Sequence, residues 1–85
     1  MEETNSRLKA VFMEVVDNQI RDNDPPETRE TLARLITQGI SEEDARIYIG
    51  QAVCFEVWDI MRNDNKFNMD RYLRNLENLP AEPKE

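Results

Sequence analysis

Histidine is missing from the 85 residues, cysteine and tryptophan occur once each, and glycine occurs twice. Without histidine the chain lacks the side chain that most readily serves as a general base near neutral pH and as a nitrogen ligand for transition metals. The lone Cys54 has no partner for an intramolecular disulfide. With no apolar signal core at the start, a reducing cytoplasm is the expected compartment. The glycines, Gly39 and Gly50, are too far apart to form a phosphate-cradling loop. No apolar run approaches the roughly 20 residues of a membrane span, so no membrane role is expected. Basic charge is also short. Eleven Lys and Arg against eighteen Asp and Glu leave a net charge of -7, which opposes a polyanionic partner, because general nucleic-acid affinity comes from basic side chains releasing phosphate counterions. No nucleophile has an evident activating neighbour. The expectation is therefore a non-enzymatic protein with no cofactor.

What is present is helical pattern. Apolar residues make up 39% of the chain, and they recur at spacings of three and four, which separates this chain from a disordered one despite its charge. The expected fold is all-α, a compact bundle of four helices at about 5–21, 26–38, 42–62 and 68–78. The third is central and the fourth is short. Residues 1–79 form one domain and 80–85, with nothing to bury, a mobile tail.

Leu8, Val11, Phe12, Val15, Val16 and Ile20 make one stripe of the first helix, with Thr4 or Asn5 as its cap. Asp22-Asn23-Asp24-Pro25-Pro26 ends it by turn chemistry. Pro26 suits the first turn of the second helix, with Asp24 as cap and Thr28, Leu32, Leu35 and Ile36 as the inward stripe. Gly39 fits the left-handed position that closes a helix, and Ser41 with Asp44 resembles a capping box for the third. Projection of the third helix puts Ile49, Val53, Val57 and Ile60 on one side, continuing into Ile47, Cys54, Trp58 and Met61. Gly50 inside this arc is expected to let a neighbouring helix approach. Phe67 packs back, and Asn68 caps the last helix with Met69, Tyr72, Leu73 and Leu76.

Cys54 and Trp58 are expected as core residues. Tyr48 and Phe55 fall on the polar side of the third helix, with Gln51, Ala52 and Asp59. They need cover, either from the fourth helix or from another chain, and these five residues form the candidate interaction surface. Carboxylates three apart, Glu14 with Asp17 and Glu56 with Asp59, offer an all-oxygen set for a hard divalent cation. Solvated or ion-paired surface carboxylates are the plainer expectation. Asp22-Asn23-Asp24 and Asn63-Asp64-Asn65 lack the glycine and distal glutamate of a calcium loop. The Thr31–Gln38, Gly-Ile-Ser, helix sequence has a helix-turn-helix outline, but Glu42, Glu43 and Asp44 stand where a DNA reader meets phosphate. It describes an ordinary αα-hairpin equally well.

Three segments together resemble a family of small bacterial all-helical proteins of unknown function. They are Asp17-Asn18-Gln19, the hairpin Leu32–Ile49 with its Gly-Ile turn and Asp44-Ala45, and the closing stretch Phe67–Pro80. The resemblance implies a helical fold. That family carries histidines on its first and third helices, and the corresponding third-helix positions here are Glu43 and Ile47. Any metal or catalytic role tied to those histidines does not carry over. The expected function is protein–protein interaction, as a homodimer through Tyr48 and Phe55 or with another protein. A carboxylate-based metal or enzymatic domain is the alternative, and nucleic-acid binding ranks last.

Overall fold

The computed structural model describes residues 2–84, with side chains from Arg7 onward. Four helices follow in order: α1 (Glu2–Asp22), α2 (Pro26–Thr37), α3 (Glu42–Asn63) and α4 (Met69–Asn78). The all-α bundle expected from the periodicity is the fold. α3 packs against each of the other three helices, and the radius of gyration is 12.4 Å, near the roughly 12 Å of a well-packed chain this long.

The helix ends follow local chemistry. Ser41 Oγ accepts the Asp44 N–H at 3.1 Å, and Asn68 Oδ1 accepts the Arg71 N–H at 3.0 Å. Both satisfy an N–H that a helix start leaves unpaired. Gly39, at φ +95°, turns the chain between α2 and α3. Asn23 and Asp64 take left-handed φ values of 51° and 54°, a conformation that short polar side chains tolerate. Two expected caps are displaced. α1 already runs through Thr4 and Asn5 from Glu2, so neither is its cap, and their side chains lie outside the described residues. At α2 the cap is Pro25 rather than Asp24, with Pro26 in the first turn.

Val16, Leu32, Leu35, Ala45, Ile49, Ala52, Val53, Tyr72, Leu76 and Leu79 form the buried cluster. The stripes of α1 and α2 point inward as projected, except at their ends, where Leu8, Val11 and Ile36 are exposed. α3 is turned differently from its projection. Ala45, Ile49, Ala52, Val53 and Glu56 face the core, while Trp58 is 56% exposed, Met61 is 73% exposed, and Ile60 is also exposed. Trp58 and Met61 are therefore not core residues. The physical reason is that α3 is apolar around most of its circumference, so its own pattern does not choose a face. Its partners choose, and they select the small Ala45 and Ala52 for close helix packing together with one carboxylate that α4 can neutralise. Gly50 behaves as expected: a Cβ there would lie 3.2 Å from Met13 Sδ of α1.

Candidate functional site

The polar chemistry of the molecule is concentrated where α3 meets α4. Glu56 is 0% exposed, and Arg71 reaches it with a two-pronged contact, Nε to Oε2 at 2.6 Å and Nη2 to Oε1 at 2.9 Å. The Asn68 N–H donates to Oε1 at 2.9 Å. Arg71 Nη2 also donates to Asp59 Oδ2 at 2.8 Å, and the guanidinium carbon stands 5.1 Å from the centre of the Phe55 ring, a cation–π distance. Hydrogen bonds from Arg71, Asn63 and Asn65 hold the Asp59 carboxyl down at about 2. The same carboxylates, Glu56 first, push the Arg71 guanidinium further up. A buried charge survives only when paired and fully hydrogen-bonded, and this arrangement provides both conditions.

This geometry redistributes the five candidate interface residues. Phe55 is half-buried, with the Arg71 guanidinium of α4 over its ring. Tyr48 is half-buried against the core cluster. Ala52 is enclosed and offers no surface, and Asp59 is engaged by Arg71. Of the five, Gln51 alone is exposed. The carboxylate pairs are dispersed in the same way. Asp17 pairs with Arg46, Glu56 and Asp59 are taken by Arg71, and Glu14 is exposed. Among the described residues no group of three or more His, Cys, Asp or Glu is placed to hold a metal.

A second polar knot joins three helices. The Tyr72 hydroxyl donates to Gln19 Oε1 at 2.6 Å, Thr28 Oγ donates to the same oxygen at 2.7 Å, and the two hydroxyls lie 3.2 Å apart. Burial pushes the Tyr72 phenol up to about 12. Arg34 of α2 meanwhile donates to the carbonyls of Leu76 at 2.9 Å and Leu79 at 3.1 Å, satisfying acceptors that the end of α4 leaves open. The segment after Pro80 is also engaged: Pro83 is half-buried and the Lys84 N–H donates to Asn75 Oδ1 at 3.0 Å. The tail expected to be mobile makes these contacts.

The side of α3 turned away from the core is largely apolar. Ile47, Gln51, Cys54, Trp58 and Met61 lie on the side of α3 turned away from the buried Ile49, Ala52 and Glu56. A groove between α3 and α1 is lined by Leu8, Phe12, Met13, Ile47, Cys54 and Trp58. On the other flank, Cys54, Trp58, Phe55, Arg62 and Pro83 line a second depression. Burial against these neighbours pushes the Cys54 thiol up, which lowers its reactivity. Apart from Gln51, which stood among the candidate interface residues, this face was missed from the sequence because its residues were assigned to the core. The available signal was the four-three spacing from Ile47 to Met61. No helix is long and apolar enough to cross a membrane among the described residues. No protein-family model, curated protein or solved structure matches the chain, so the resemblance to a small bacterial helical family rests on the residues that suggested it.

Proposed function

We propose that this chain is a protein-interaction module without catalytic chemistry, binding through the outward face of α3 and the flanking half of α1. The observation that carries the reading is the exposure of Trp58 and Met61, at 56% and 73%, on one continuous stripe. Isolated exposed apolar residues are ordinary, but a contiguous set is not. Tryptophan and methionine are among the residues enriched where interfaces are fully buried. The strongly perturbed titratable groups give further support, since Asp59, Arg71 and Tyr72 are each engaged in joining helices. A photoreactive amino acid in place of Met61, expressed in the native host, is expected to yield a discrete cross-linked species. The same group in place of Ala33, exposed on α2, is expected to yield none. Equal labelling at the two positions removes the reading.

A further inference from the structure

We propose that residues 81–84 form a detachable strap that closes the seam between α3 and α4 and, in closing it, limits access to the depression beside Trp58. The regulatory role rests on the interaction-module reading, because that depression belongs to the outward face of α3.

The strap has a fixed root. Leu79 is 2% exposed, and Arg34 holds the Leu76 and Leu79 carbonyls at 2.9 and 3.1 Å, so the chain as far as Leu79 belongs to the core. Beyond it the hold changes. The Ala81 N–H donates to the Asn78 carbonyl at 2.9 Å, and the chain then folds back until the Lys84 N–H meets Asn75 Oδ1 at 3.0 Å. Between them Pro83 is half-buried and borders the depression together with Phe55 and Trp58 of α3. Proline suits such a seat, because it has no N–H to leave unpaired.

Closure is weakly held. Pro80, Ala81, Glu82 and Lys84 are all exposed, so what closure gains is chiefly one proline and one latching hydrogen bond. A segment with so few buried contacts opens without the rest of the fold. The latch itself is only half made: Asn75 is 1% exposed, and its Nδ2 finds no acceptor among the described residues. A buried donor without an acceptor disfavours the state that buries it, since an opened seam hands that donor to water. Open and closed straps are therefore close in free energy, with Pro80 as the boundary.

Opening enlarges the depression. Pro83 and Lys84 supply its wall on the tail side, so lifting them bares the half-buried Phe55 beside the exposed Trp58. A partner seated against Trp58 meets the strap as a competitor for that seat.

Native-state hydrogen exchange on the purified full chain tests the closure. The Lys84 amide is expected to be protected on the order of tenfold over an open chain, and the Leu76 amide of α4 on the order of a thousandfold or more. Lys84→Pro removes the latching N–H, whereas Lys84→Ala keeps it. Lys84→Pro is expected to raise the fluorescence of Nile red, a neutral apolar dye, severalfold over Lys84→Ala, with the helical circular-dichroism melt in place because the residue is exposed. An unprotected Lys84 amide, a Lys84 amide that exchanges together with Leu76, or equal dye uptake by the two variants overturns the strap. With the photoreactive group at position 61, Lys84→Pro is expected to give severalfold more adduct than Lys84→Ala. Equal, measurable yields overturn the regulatory role and leave the interaction module standing. No adduct from any of the chains removes the module and the regulatory role with it, while dye uptake and exchange still report on closure.

Discussion

At the scale of single residues, the strongest constraint is the carboxylate of Glu56. Three N–H donors converge on its two oxygens, two from Arg71 and one from the Asn68 backbone. In Glu56→Gln one of those oxygens becomes an NH2 that must face a donor, and the buried guanidinium loses its principal counter-charge. Urea unfolding is expected to show a loss of about 3 kcal/mol, the range for breaking one side of a buried ion pair. Asp59→Asn, whose side chain is 14% exposed, is expected to cost less than Glu56→Gln. In the sequence Glu56 is one acidic residue among eighteen, and Arg71 lies fifteen positions away with no helical spacing to connect them. A buried pair across two elements has no local signature. Phe67 could be placed from sequence, because an apolar residue in a polar turn must find cover, and it meets Tyr72 edge-on at 5.3 Å.

At the scale of elements, the helices themselves were legible. Ser41, Asn68 and Gly39 act where capping chemistry puts them, because the chemistry of a helix end is local. The rotation of α3 was not legible. A helix with one stripe states which face it buries, as α1 does, whereas a helix apolar on several faces leaves that choice to its neighbours. Gly50 belongs at this scale, because it is both a helix interior position and the point where Met13 of α1 approaches. The contact a Cβ would make is with the flexible end of a methionine side chain, which can move aside. Gly50→Ala is therefore expected to raise stability by up to about 1 kcal/mol through helix propensity. Gly50→Leu, which cannot be accommodated by that small shift, is expected to lower it. Thermal melts of the two variants check the sign.

Across the whole molecule, the knot of Gln19, Thr28 and Tyr72 ties α1, α2 and α4 together at one end, and it couples folding to alkaline pH. The phenol in the unfolded chain ionises near its ordinary value of 10, while in the fold it keeps its proton to about 12. The native state therefore holds the extra proton in that window. Its contribution is full below pH 10 and is lost as pH rises from 10 to 12. Tyr72→Phe is expected to cost about 1 kcal/mol at neutral pH for the lost hydrogen bond and to flatten this part of the stability profile. Denaturant titrations at pH 9, 10 and 11 would show the difference.

By itself, the sequence determined the number and order of the helices, the caps of α3 and α4, and the absence of histidine chemistry, because periodicity, capping and composition act over a few neighbouring residues. The tertiary structure decided which face of α3 is enclosed, which carboxylate is buried, and that Trp58 and Met61 remain outside. Those outcomes depend on which side chains α1 and α4 bring against α3, and no spacing within α3 contains that information. The four-three stripe from Ile47 to Met61 was present in the chain throughout, but only the fold, by turning the other side of α3 inward, left it on the outside of the molecule.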